Sequence, residues 1–99
     1  MSKKTIGVGL ISVGWMGNLH TRAYQALSHI YPELEVECKL IIAADTAPDR
    51  AKYAHDVLGY REFTTDYHEV LRHPDVDVVS ICSPNFLHME MGIAAAEAG

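Results

Sequence analysis

Apolar residues along the chain follow two patterns that alternate with each other. The run 5–13 is apolar on nearly every position, which is typical of a parallel strand covered on both faces, and 36–44 and 76–82 are further apolar, strand-like runs. Between them, apolar residues recur at the spacing of an amphipathic helix, most clearly at Leu19, Ala23 and Ala26. The pattern predicts strand 5–13, helix 18–30, strand 36–44, helix 48–58, short strand 61–64, a short helix after Asp66, strand 76–82 and helix 86–98.

Proline, glycine and capping residues set the predicted ends of these elements. Pro32 ends the first helix, Pro48 suits the first position of the second, and Gly59 follows that helix's last residue. Asp66 with Glu69 three residues later resembles a capping box, which opens the short third helix. Strands and helices that alternate in this order predict an α/β fold with a Rossmann-type, doubly wound parallel sheet and right-handed crossovers.

The last predicted helix runs almost to the final residue, where the alternating pattern predicts another strand. A chain of 99 residues is at most one small domain. We therefore expect residues 1–99 to be the truncated N-terminal part of a larger α/β domain.

Composition and charge exclude several classes of partner. The chain is 48% hydrophobic and 21% charged, and its net charge is −5 with scattered basic residues, which argues against nucleic acid. No apolar run reaches the roughly 18–20 residues of a membrane span. Met1 to Lys4 lead directly into a strand and leave no room for a signal peptide. Cys38 and Cys82 lie in apolar runs, where reduced, buried thiols are expected, so the sequence predicts a cytoplasmic protein.

A glycine-rich segment, Ser12-Val13-Gly14-Trp15-Met16-Gly17, joins the first strand to the first helix. Dinucleotide-binding folds use Gly-x-Gly-x-x-Gly at this junction, because the backbone must approach the pyrophosphate and the helix must pack close to the strand. The N–H groups at the helix start, around Trp15 and Met16, then hold the phosphate charge. The alternative is that Gly14 and Gly17 serve only the packing of the helix on the strand.

Ser12 stands where the motif has its first glycine. That position usually needs dihedral angles that serine tolerates less well than glycine. Serine is small, however, and its hydroxyl could reach a phosphate or a water. We include Ser12 among the expected cofactor-binding residues.

Asp45 follows the second apolar strand. A carboxylate in this position can accept hydrogen bonds from both hydroxyls of the adenosine ribose, and it repels a 2′-phosphate. It lies further from Gly14 than the roughly 20 residues that are usual, which a long first helix and the following loop explain. The alternative is that Asp45 only caps the next helix. No arginine follows directly, so NAD is expected as the cofactor, while Arg50 keeps NADP possible.

Ser83, Pro84, Asn85 and His88 follow the fourth strand. In a doubly wound sheet the carboxyl ends of the strands face the crevice where ligands bind. Asn85 is expected to cap the last helix, to bind the nicotinamide ribose, or both. His88 points at substrate or is an ordinary surface histidine. No histidine has metal-ligand spacing with a cysteine, so no metal site is expected.

These segments together resemble the glucose–fructose oxidoreductase and inositol dehydrogenase family. The resemblance covers essentially the whole chain, and the combination of motifs is specific. The matching segments are residues 8–20, apart from serine at the first glycine, with 44–45, 48–51, 67–71, 75–79, 83–88 and 94–99.

The resemblance implies an NAD(P)-dependent enzyme that passes hydride between the nicotinamide and a carbinol carbon of a sugar, polyol or cyclitol. In that family a Glu-Lys-Pro strand and a C-terminal substrate domain carry the catalytic groups. None of these lies in this chain, which is therefore expected to hold no catalytic residue and to be inactive alone. The full-length protein is expected to be a homo-oligomer. The alternative is a sensor or regulator of the same fold that binds dinucleotide without turnover.

Overall fold

The computed structural model describes residues 4–30, 36–82 and 85–98. They form four strands and four α-helices, the second of which continues as a π-helix. The strands are β1 (Lys4–Ile11), β2 (Val36–Ala44), β3 (Glu62–Thr64) and β4 (Val78–Ile81). The helices are α1 (Trp15–Ile30), α2 (Pro48–Tyr53) with its π-helix (Ala54–Leu58), α3 (Tyr67–Arg72) and α4 (Asn85–Ala98).

All described strand pairs are parallel, and the strand order is β3-β2-β1-β4. The order reverses at β1, because the chain moves outward from β1 to β3 and then crosses to the other side for β4. Such a reversal defines a doubly wound sheet, and ligands bind at its carboxyl edge. The predicted fold class and order of elements are confirmed.

The core has two layers because alternate residues of each central strand face opposite sides of the sheet. Leu10 packs with one cluster and Ile11 with the other. The first cluster is Leu10, Val13, Ala43, Ala54, Leu58 and Tyr60, and the second is Ile11, Ile41, Ile42, Ala44, Val70 and Met91. Both faces of the sheet are therefore covered, as the continuous apolar runs predict.

Several predicted boundaries are wrong by one to three residues. β1 ends at Ile11 rather than residue 13, and α1 begins at Trp15 rather than residue 18, because Asn18 N–H already donates to Gly14 O at 3.0 Å. β4 begins at Val78 rather than residue 76. Here Asp77 N–H donates to Gly7 O at 2.7 Å while the Asp77 carboxylate accepts from Gly7 N–H at 2.8 Å, so a side chain replaces one bond of the ladder.

The predicted helix 48–58 is an α-helix only to Tyr53, and residues Ala54–Leu58 are π-helical. Gly59 then adopts a left-handed conformation with φ 94°, which glycine accepts without strain. Tyr60 N–H donates to Ala54 O at 3.0 Å and closes the wide final turn. This ending places Tyr60 in the core with 1% of its surface exposed.

Asp66 caps α3 as predicted, since its carboxylate accepts from His68 N–H at 3.0 Å. The reciprocal half of the predicted capping box is wrong. Thr64 Oγ1, rather than the Glu69 side chain, accepts from Asp66 N–H at 3.1 Å. A threonine at the end of β3 thus supplies the bond that the sequence pattern assigns to Glu69.

The two cysteines are free and half-buried. Burial raises the pKa of the Cys38 and Cys82 thiols, so both are poor nucleophiles at neutral pH. No helix among the described residues is long and apolar enough to cross a membrane.

Candidate functional site

The glycine turn, defined as residues 12–17, leads from β1 into α1 at the carboxyl edge of the sheet. Gly14 O accepts from both the N–H and the side-chain amide of Asn18, at 3.0 and 3.1 Å, and so closes the first helical turn. Within the described parts of the chain, no group accepts a hydrogen bond from the N–H of Trp15, Met16 or Gly17. These donors lie at the positive end of a 16-residue helix, where an anion is stabilised.

The two glycines of the turn differ in what surrounds them. A Cβ at Gly17 would lie 2.7 Å from Ser12 O and 3.3 Å from a methyl group of Leu10, so Gly17 permits the close approach of α1 to the turn. A Cβ at Gly14 would meet no protein atom within 4 Å. Packing alone therefore accounts for Gly17 and leaves the glycine at position 14 unexplained by the protein's own contacts.

Ser12 has φ 75°, and among the described residues it is the one non-glycine residue with a positive φ. Its N–H donates to Ala44 O at 2.8 Å, which fixes the turn to the end of β2. The unusual dihedral angle expected at the first motif position is therefore present, although the residue is serine.

Asp45 is buried beside the glycine turn, with 8% of its surface exposed. Its Oδ2 accepts from Val13 N–H at 3.0 Å, and its Oδ1 accepts from Ala47 N–H at 2.9 Å. The N-cap residue of α2 is Ala47, so the alternative in which Asp45 is the helix cap is wrong. The carboxylate instead joins the ends of two neighbouring strands, and each of its oxygens keeps acceptor capacity for a further donor.

A small cleft opens next to Asp45 at the carboxyl ends of β1, β2 and β3. Its volume is about 70 Å³, well below the roughly 300 Å³ of a small complete ligand site. The described residues alone therefore do not enclose a complete ligand. This Asp45 cleft is lined by Ile11, Ser12, Ala44, Asp45, Thr46, Thr65, Tyr67 and Met91.

Sequence reasoning missed Thr46, Thr65 and Tyr67 as members of this edge. Thr46 and Thr65 lie within two residues of a strand end and Tyr67 opens the next helix, so their positions relative to the strand ends were the available signal. Their position beside Ser12 depends on the order of the strands in the sheet, which cannot be read from the sequence.

The end of β4 lies at the same edge. Ile81 pairs with Ile11, and Cys82 N–H donates to Ile11 O at 2.9 Å, so the end of β4 lies beside the start of the glycine turn. Asn85 is the first residue of α4. Ser83 and Pro84 lie outside the described residues, as do the side chains of Asn85 and His88. Their expected roles stay predictions.

Side-chain hydrogen bonds anchor α1 beneath the glycine turn. Thr21 Oγ1 and Tyr60 OH are 2.9 Å apart, and both residues are fully buried. Burial raises the pKa of Tyr60 to about 12, so the phenol stays neutral. Tyr24 OH lies 2.7 Å from Ser80 Oγ on β4. Helix α1, which begins at the glycine turn, is therefore tied to structure on both sides of β1.

Comparison with known proteins agrees with this architecture. The family model described as an oxidoreductase family with an NAD-binding Rossmann fold matches residues 6–99. Levoglucosan dehydrogenase of Pseudarthrobacter phenanthrenivorans is 38% identical over 97 residues, which are 97% of this chain and 25% of that protein. Myo-inositol 2-dehydrogenase of Thermotoga maritima is 29% identical over 91 residues, covering 92% of this chain and 25% of the relative.

Solved structures give the same result. A levoglucosan dehydrogenase in complex with NADH and L-sorbose superimposes with a TM-score of 0.90 and 36% identity, over 97% of this chain and 26% of that one. The chain thus belongs to the oxidoreductase family with the NAD-binding Rossmann fold, and the resemblance seen in its motifs is confirmed. It spans about a quarter of the length of these relatives.

Proposed function

We propose that this chain is the cofactor-binding part of an NAD-dependent oxidoreductase that transfers hydride between the nicotinamide and a carbinol carbon of a sugar or polyol. The observation that carries the proposal is the combination of an open Gly14 with three N–H groups at the start of α1 for which the described residues supply no acceptor. A diphosphate fits that combination, because it is an anion that binds N–H groups at a helix start and needs a glycine to come close to the backbone.

The N–H groups of Trp15, Met16 and Gly17 would hold the diphosphate, and Gly14 would leave it room to approach the backbone. Each of these N–H groups would otherwise need water, because the first turn of a helix has no internal acceptor for it. The helix dipole adds a favourable interaction of about 0.3–1 kcal/mol with a negative charge at this end.

Asp45 would hold the adenosine ribose by accepting hydrogen bonds from its hydroxyls, with the acceptor capacity that Val13 and Ala47 leave free. A second negative group at the same place, the 2′-phosphate of NADP, is repelled and would meet a buried carboxylate. Arg50 is exposed on α2 and is the residue that could offset this repulsion. NAD is therefore the proposed cofactor.

The substrate is proposed to be a polyhydroxylated small molecule, because the matched relatives include levoglucosan and inositol dehydrogenases. We further propose that other parts of the protein supply the base that takes the carbinol proton and the substrate domain. Residues 1–99 alone then bind cofactor without turnover. A sensor of the same fold would share the cofactor site, and no observed contact favours that alternative.

The proposal is tested by Gly14→Ala in the intact protein. The added Cβ meets no protein atom within 4 Å, so folding stability is expected to hold, while NADH affinity falls at least about tenfold because the methyl group occupies the phosphate approach. Enhancement of NADH fluorescence measures the affinity. Gly92→Ala is the matched control, because its Cβ also meets nothing within 4 Å but lies on α4. Unchanged NADH affinity in Gly14→Ala would refute the proposed cofactor site.

A further inference from the structure

Ser12 holds a backbone conformation that a glycine would adopt without strain. At φ 75° an L-residue brings its Cβ close to its own following carbonyl. The turn imposes this conformation, since Ser12 N–H is held by Ala44 O at 2.8 Å and Ser12 O lies against Gly17. Residues strained in this way cluster at active sites and ligand-binding sites. What serine adds over glycine at this position is one hydroxyl group.

The side of the turn that Ser12 lines is the Asp45 cleft. Ser12 is partly exposed there, whereas Asp45 is buried. No described residue forms a hydrogen bond with the Ser12 hydroxyl. Position 12 thus offers a neutral donor and acceptor next to a carboxylate whose two oxygens already accept one N–H each.

We propose that the Ser12 hydroxyl is a specificity-determining group that contacts the vicinal diol of the adenosine ribose together with Asp45. The inference rests on the proposed cofactor site. A diol presents two O–H donors and two oxygen acceptors, whereas a carboxylate can only accept. Serine supplies the donor that Asp45 lacks, so one ribose oxygen can accept from Ser12 while the ribose hydroxyls donate to Asp45. The family motif has glycine at this position and offers no such donor.

The test measures the binding of ADP to the intact protein by displacement of NADH, with 2′-deoxy-ADP and 3′-deoxy-ADP as companion probes. Two variants separate the hydroxyl from the strain. Ser12→Ala removes the hydroxyl and keeps the Cβ, whereas Ser12→Gly removes both. We expect ADP affinity to fall about three- to tenfold in both variants, the value of one hydrogen bond. The deoxy analogue that lacks the contacted hydroxyl is expected to bind the parent and both variants equally.

Thermal unfolding provides a second measurement of the same variants. Ser12→Gly is expected to unfold at a temperature higher by about 2–4 °C, because the strain is relieved, and Ser12→Ala close to the parent. Equal losses of ADP affinity despite this difference in stability would assign the effect to the hydroxyl.

Two results would overturn the inference. Unchanged ADP affinity in both variants would show that serine is merely tolerated. An equal loss for ADP and both deoxy analogues would place the hydroxyl on a phosphate or assign it a role in the shape of the turn. In either case Gly14→Ala should still lose NADH affinity, and its failure to do so would instead refute the proposed cofactor site.

Discussion

Val13 N–H donates to Asp45 Oδ2 at 3.0 Å, across 32 residues of sequence. Val13 is 1% exposed and Asp45 is 8% exposed, so water cannot readily replace either partner. The carboxylate proposed to bind the ribose is therefore also a structural group that holds the glycine turn in place. Substitutions at Asp45 are expected to change stability and cofactor selectivity together.

Asp45→Ala leaves the buried Val13 N–H without an acceptor, which is expected to cost about 1–3 kcal/mol of unfolding free energy. Asp45→Asn keeps one amide oxygen as an acceptor and is expected to cost less. Both variants are expected to narrow the preference for NAD over NADP, because the negative charge that repels the 2′-phosphate is gone. Urea unfolding gives the stabilities, and titration with both cofactors gives the selectivity. Parent-like selectivity in both variants would contradict the ribose role of Asp45.

Gly17→Ala places a Cβ 2.7 Å from Ser12 O, where backbone must move to make room. We expect it to destabilise the protein by about 1–3 kcal/mol, the usual cost of overpacking. Gly14→Ala provides the comparison, since its Cβ meets no protein atom within 4 Å. Denaturant midpoints of the two variants measure the difference. Equal stabilities would show that α1 can move away from the turn without cost.

Tyr60→Phe removes the hydroxyl that bonds Thr21 in the core, 2.9 Å away. The expected loss at neutral pH is about 0.5–1.5 kcal/mol. Because the folded pKa of Tyr60 is raised from 10.0 to about 12, the unfolded chain releases this proton first as pH rises through that interval, and the parent loses stability there. Tyr60→Phe has no phenol proton to release, so the difference in unfolding free energy between the parent and the variant should shrink between pH 10 and 12. A gap that stays constant in urea unfolding at alkaline pH would exclude this linkage.

Asp66 is an exposed N-cap whose pKa is lowered, first by the hydrogen bond from His68 N–H and then by the His68 side chain. A lowered folded pKa contributes stability above the ordinary value of 3.8, and that stability is lost as pH falls below it through the folded value. Asp66→Ala is expected to be less stable than the parent at neutral pH. The difference should persist down to about pH 4 and decrease in more acidic solution, as acid titrations monitored by circular dichroism would measure. A difference independent of pH would show that the contribution of the Asp66 cap does not depend on the charge of its carboxylate.

The sequence predicted those parts of the fold whose signal lies within a short segment of the chain. Continuous apolar runs predicted the buried strands, and Gly14 with Gly17 predicted a strand–helix junction, because these signals are local. The partners of Asp45 could not be predicted, since they depend on which strands become neighbours. The π-helical ending before Gly59 was also missed. Its hydrophobic spacing differs from that of an α-helix by a single residue, which a short segment does not resolve.

The wide turn at Ala54–Leu58 also limits how this part of the chain can change. Removing one residue there would shorten the span that the hydrogen bond from Tyr60 N–H to Ala54 O closes, and would pull the residues after Gly59 toward the helix. Tyr60 would then leave its place beneath α1, and Gln25 would lose the Leu58 carbonyl to which it donates at 3.0 Å. Shortening this segment is therefore a poor route to a stabilised protein, although it lies on the surface and its middle residues are exposed.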